Sequence, residues 1–177
     1  MIYKLIPSDS PSLHVKLPET TFDEIREKHN LTPLELLDNL KGTMASTGGI
    51  GLSANQVGLP IRAFVMYTNF DKKLVTLFVN PTITEYSDDT TMFTEGCLTY
   101  PFLFLNLKRP RSIKFTYTNI EGKTQEGVYT GLTARIFQHE YDHMEGRNFT
   151  QLASKLKLDM AFKKAQKKVK SLQKSNT

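Results

Sequence analysis

Apolar residues recur at helical spacing in three stretches of this chain and at strand-like spacing or in short runs between them. Thr32-Pro33-Leu34-Glu35 sets a capping box and a first-turn proline ahead of Leu36, Leu37, Leu40 and Met44, which share one face. Gly48-Gly49 closes that run, so a helix is expected over 32–46. Segments 61–67 and 74–80 are rich in Val, Phe, Leu and Ile and read as strands. Ile113, Phe115 and Tyr117 alternate with polar residues, as in a half-buried strand, and Asn119-Ile120-Glu121-Gly122 predicts a hairpin turn into a further strand near 124–130. Leu132, Ile136, His139 and His143 follow 3.6-residue spacing between Gly131 and Gly146, which predicts a helix over 131–145. A last stripe, Leu152, Leu156, Met160, Ala161, Ala165, Val169 and Leu172, is interleaved with lysines. A helix, a run of strands and then helices predict an α+β fold with mainly antiparallel sheets, and 177 residues suffice for one sizeable core.

Chemistry enters with the second helical stripe. His139-Glu140-Tyr141-Asp142-His143 reads HExxH. Residues four apart share a helix face, so two imidazoles can close on one divalent metal, with Glu140 placed to reach the water on it. That pattern points to metal-assisted hydrolysis, although two histidines and two acids can also simply decorate a helix. The histidines continue an apolar stripe, with Arg135 and Glu140 at its margins, which favours a core-facing pair; Asp142 falls off that face. A catalytic site of this kind needs a third protein ligand. Downstream, Glu145 is too close in sequence to wrap onto the same metal, and Asp159 sits in the lysine-rich segment. Upstream, Cys97 is the single cysteine, so no internal disulfide can form; a lone cysteine can equally be a buried, inert side chain. Gly96 permits close backbone approach beside it, and Pro101 should limit strand pairing beyond it. The glycine-rich stretch 48–58 lacks the lysine of a phosphate-binding loop.

Charge divides the chain. Eight of its 23 basic residues and one of its 18 acids, Asp159, lie after position 150, so the tail carries +7 and the body −2. An amphipathic terminal helix with a solvated face explains such a segment; contact with the phosphates of RNA is the functional alternative. No apolar run is long enough to span a bilayer, the narrow apolar face without tryptophan argues against a membrane surface, and the N-terminus lacks a signal or transit layout, which predicts a cytoplasmic protein.

Three segments taken together resemble the peptide deformylase family, whose signature motifs have the form G-Φ-G-Φ-A-A-x-Q, E-G-C-L-S and H-E-Φ-D-H, Φ being apolar. The chain carries them in that order as Gly49 to Gln56, Glu95 to Thr99 and His139 to His143. It departs twice: Ser53 stands for the first alanine and Thr99 for the serine. The resemblance extends from the N-terminal segment to about residue 152, so a catalytic domain is expected over 1–152 and a basic helix or tail over 153–177.

The resemblance implies the fold and the site: mainly antiparallel sheets around a central metal-binding HExxH helix. Cys97, His139 and His143 would hold one divalent ion, Fe(II) or Zn(II), with Ni(II) or Co(II) able to substitute. Glu140 would carry the proton, and the Gln56 side chain and Leu98 backbone N–H would face the formyl oxygen. The substrate implied is the N-formylmethionyl end of a nascent peptide, bound as an added strand by backbone at Ile50 and Gly96, with Gly51 and Glu95 also among the substrate-binding residues and its methionine in a pocket of Ile50, Phe93, Leu132, Ile136 and the stem of Arg135. Arg109 would pair with Asp142. The lysine-rich tail would meet the ribosome or its RNA, and the protein would be a monomer. Two other readings compete: a zinc peptidase using Asp159 or Glu145 as third ligand, and a noncatalytic RNA-binding protein.

Overall fold

The structure, a computed structural model, describes residues 1–175. Four α-helices, α1 (Phe22–His29), α2 (Pro33–Ser46), α3 (Gly131–Met144) and α4 (Lys155–Ser175), accompany seven strands, β1 (Gly51–Ser53), β2 (Ala63–Asn69), β3 (Leu74–Tyr86), β4 (Thr90–Cys97), β5 (Tyr100–Pro110), β6 (Ser112–Thr118) and β7 (Thr124–Thr130). Five strands form one antiparallel sheet in the order β1-β2-β3-β6-β7; β4 and β5 form a separate hairpin. The expected α+β class holds.

The capping box of α2 is present as read: Glu35 N–H donates to Thr32 Oγ1 at 3.2 Å, and Thr32 N–H to Glu35 Oε2 at 2.8 Å. The same device, Thr21 with Glu24, starts α1, which the apolar spacing alone does not reveal. Leu36, Leu40 and Met44 of α2 pack on Ala63, Val65, Val75, Leu77 and Val79. The alternate residues Phe64, Met66 and Phe78 face the other way, onto Ala134, Ile136, Phe137 and Met144 of α3. The central sheet is therefore covered on both faces, and α3 lies on the face away from α2.

The hairpin departs from expectation. Pro101 does not end pairing; it sits within β5, and the ladder runs from Thr90 with Pro110 to Cys97 with Tyr100, broken by a shift between Gly96 and Cys97. Leu103, Leu105 and Leu107 of β5 point inward onto Phe149, and Leu158 and Ala161 of α4 join that cluster. The packed face of α4 is thus Leu158, Ala161 and Ala165. Leu156 and Met160, expected in the buried stripe, are 71% and 64% exposed. Small side chains at 161 and 165 let the helix sit close to β5, and that proximity sets its rotation. None of the described helices is long and apolar enough to cross a membrane.

Candidate metal centre

Three elements converge on Cys97. Helix α3 presents His139 and His143 one turn apart, both buried, and the end of β4 brings Cys97 against them. One donor atom from each of the three lies within 4.8 Å of the others, and Cys97 Sγ is 3.5 Å from His143 Nε2. The third element is the turn after β1, where Gln56 directs Nε2 at Cys97 Sγ (3.4 Å) and Thr99 Oγ1 (2.9 Å). Its Oε1 accepts from Ser53 N–H at 2.9 Å, which fixes the amide's orientation.

The surroundings orient these candidate ligands. Nδ1 of His139 lies 2.9 Å from Glu95 Oε2, so that nitrogen carries the proton and Nε2 is left for a metal. Glu95 also takes a forked pair of bonds from Arg109, at 2.7 and 2.9 Å, and one from Arg135 at 2.7 Å. Arg109 reaches on to Asp142 at 2.6 Å, the ion pair expected behind the histidine helix. Burial alone would raise the Glu95 carboxyl; the hydrogen bonds to His139 and Arg109 outweigh it and hold the group well below the usual carboxylate range. At the far end of α3, Asn55 Nδ2 donates to the His143 carbonyl at 3.0 Å, and buried Arg62 donates to the carbonyls of Leu17 and Met144 and to Glu145 Oε1. Neither Asn55 nor Arg62 stands out from sequence patterning.

The donor set suits a divalent cation. Burial opposes ionisation of Cys97, but the charge of His143 and hydrogen bonds from both histidines carry its thiol well below the ordinary value, toward the metal-binding thiolate. With two imidazoles, one oriented by a carboxylate, the thiolate could hold a divalent ion as a three-ligand set, which in such sites is open to water or substrate. Glu145, weighed as a third ligand, is instead paired with Lys16 and Arg62, at 2.8 and 2.6 Å. Asp159 is exposed on α4.

Glu140 is buried beside the cluster. Burial pushes its carboxyl up, against the pull of His139 and His143 and of the Ser53 hydroxyl. A Cβ on Gly51 would overlap this carboxylate, so only glycine lets β1 approach it. Around the site opens a cavity of about 720 Å³. Its walls include Ile50, Gly51, Gln56, Glu95, Gly96, Cys97, Leu98, Leu132, Arg135, Ile136, His139 and Glu140, all of them expected at the site from the sequence. Two expected residues do not line it, Phe93 and His143. His143 sits against Cys97 Sγ instead, and the Phe93 ring lies under the Arg135 guanidinium, 5.2 Å away, because Phe93 sits two residues before the inward-facing Glu95 that Arg135 binds. Glu95 also differs in character from a peptide-binding side chain, since its carboxylate is occupied by Arg109, Arg135 and His139.

Comparison with known proteins agrees with this geometry. The family model for polypeptide deformylase matches residues 5–159. A peptide deformylase of Pelagibacter ubique is 42% identical over 134 residues, 75% of this chain and 78% of that protein. One from Bartonella tribocorum is 35% identical over 163 residues, 88% of this chain and 92% of its own. The crystal structure of a peptide deformylase from Legionella pneumophila superposes with a TM-score of 0.82 at 32% identity, covering 98% of both chains. That of a probable peptide deformylase from synechococcus phage S-SSM7 gives 0.76 at 37% identity, over 85% of this chain and 99% of the other. Fold and matches define a metal-dependent hydrolase. The chain belongs to the peptide deformylase family, whose members remove N-formyl groups from nascent peptides.

Proposed function

We propose that Cys97, His139 and His143 hold the metal and that Glu140 moves the proton in deformylation. The observation that carries this reading is the convergence of one thiol and two imidazoles on one point, with Glu95 orienting His139. A divalent ion held there supplies Lewis acidity that brings a water's pKa toward neutral. Glu140 takes the proton of the attacking water and passes it to the leaving amine, so formate and a free amino terminus result. Its raised pKa suits that exchange. The Gln56 amide and the Leu98 backbone N–H donate to the formyl oxygen as charge builds on it.

Topology supports strand-like docking of the peptide. Among the described residues β1 pairs only with β2, and β4 only with β5, so both present an edge toward the cavity between them. Backbone groups of Ile50, Gly51 and Gly96 bond the peptide there. Ile50, Leu132, Ile136 and the stem of Arg135 take the methionine side chain, with Phe93 bracing Arg135 from behind.

We further propose Fe(II) or Zn(II) as the resident ion, with Ni(II) or Co(II) as working substitutes, since a thiolate with two imidazoles suits each of them. In this reading residues 1–152 carry the chemistry of a cytoplasmic monomer, while 153–177 supply a basic helix or tail for the ribosome. The eight lysines of α4 are exposed, and its contact with RNA would be phosphate-driven.

Formate release from a formyl-methionyl peptide by anaerobically prepared protein tests the reading. Cys97→Ala should lose the metal and essentially all turnover. Intact metal content and rate in that variant would overturn the ligand set and favour a different HExxH hydrolase.

A further inference from the structure

Both departures from the family's motifs place a hydroxyl against a side chain assigned to the chemistry: Thr99 accepts from Gln56, and Ser53 Oγ lies 2.6 Å from Glu140 Oε2. The second is the more informative, because the family pattern has alanine there and alanine can make no such bond. Strand alternation creates the contact. Gly51 and Ser53, two apart on β1, face α3 together, whereas Leu52 between them packs into the α2 cluster. The Glu140 carboxylate thus has a seat with two unlike halves. Oε1 lies over the bare Cα of Gly51, which lines the cavity, and Oε2 is bonded to Ser53, which is fully buried.

We propose that Ser53 is a positioning residue whose hydroxyl holds one oxygen of Glu140 and so assigns the two oxygens different tasks. A hydroxyl has one proton, and a carboxylate offers only acceptors, so Ser53 donates to Oε2 while Glu140 is ionised. Oε1 is then the oxygen that receives the proton of the attacking water and returns it to the amine. The backbone N–H of the same residue holds Gln56 Oε1, so Ser53 also registers the proton carrier against the oxyanion donor. The inference rests on the assignment of Glu140 as proton carrier.

The test is a double-mutant cycle on metal-loaded protein, read as formate release from a formyl-methionyl peptide. Ser53→Ala installs the residue of the family pattern. It should lower kcat by roughly 10–100-fold, the size of a lost hydrogen bond to a charged group, with KM and metal content unchanged. In a Glu140→Gln background, under single-turnover conditions, the same change should cost nothing further, because the two act as a unit. An unchanged kcat in Ser53→Ala, a joint loss of kcat, KM and melting temperature, or an equal loss in both backgrounds would overturn the proposal. Should Glu140→Gln alone keep the full rate, the assignment of Glu140 fails, and that result is distinct from a silent Ser53→Ala.

Discussion

The two sides of helix α3 are held by opposite kinds of force. Toward the five-stranded sheet, Phe137 sits in an aromatic cluster, its ring 4.3 Å from that of Phe115, 5.0 Å from Phe64 and 5.2 Å from Phe78. Toward the hairpin, Arg135, His139 and Asp142 enter a buried network with Glu95 and Arg109. Apolar packing is non-directional. It fixes where the helix lies but tolerates small rotations of its side chains. Charged hydrogen bonds are directional and fix which way an imidazole points. One face therefore supplies stability and the other supplies the geometry that a metal site needs. Buried ion pairs often add little net stability over a packed apolar alternative, so their value here is better sought in orientation.

Removing a packed ring should give the largest effect on the first side. Phe137→Ala should destabilise the protein by about 3–5 kcal/mol, while the folded fraction keeps its metal and its rate. Denaturant melts alongside formate release check both halves. A loss of metal affinity in folded Phe137→Ala would erase the distinction between the faces.

On the polar side, Glu95→Gln should weaken metal binding by roughly 10–100-fold, as when the group that orients a ligand is altered. Competition with a chelator measures it. A pH signature accompanies the change. The carboxyl of Glu95 lies lower in the folded chain than in the unfolded one, whose value is about 4.3. Its stabilisation is therefore complete above that value and is lost as pH falls toward the folded one. The difference in melting temperature between wild type and Glu95→Gln should be widest near neutral pH and shrink below about pH 4. A gap that widens in acid would contradict the assignment.

Periodicity makes the apolar half of this comparison readable and leaves the polar half obscure. Ile113 and Phe115 and the α2 stripe bury one regular face; these elements and the histidine helix form close to where the pattern puts them, although α3 is buried on more than one side, at every position from Ala134 to Glu140. β4 carries no such pattern. Its inward residue is the charged Glu95, its threonines are largely solvated and Met92 is 53% exposed. A strand organised around an ion network reads as a polar loop. The same holds for Arg62, a buried cation inside an apolar run that makes sense only beside the end of α3. The proposed metal ligands are legible because three motifs occur together. The Ser53 bond to Glu140 is not, because strand and helix meet there only in three dimensions.

The smallest effect should come from α4. Deleting residues from 156 onward would also remove Leu158 and Ala161 from the cluster that includes Cys97, so charge substitution is the cleaner probe. Gln at Lys163, Lys164, Lys167 and Lys168 should shift stability by less than about 0.5 kcal/mol and leave formate release unchanged. Association with ribosomes should weaken, and its dependence on salt should become shallower by up to about 0.7–0.9 for each phosphate that a lysine no longer neutralises. Unaltered affinity and salt dependence would show that the lysines of α4 form only a solvated face.

The most direct measurement is formate release by Glu140→Gln compared with wild type, both prepared anaerobically and both assayed for metal. Glu140 adjoins His139, a proposed ligand, and is not itself in the proposed ligand set. The Gln variant should therefore keep one metal ion per chain and lose turnover by about 10²–10⁴-fold, the range attributed to a positioned proton carrier. A Gln variant that retains its metal and its full rate would contradict the account.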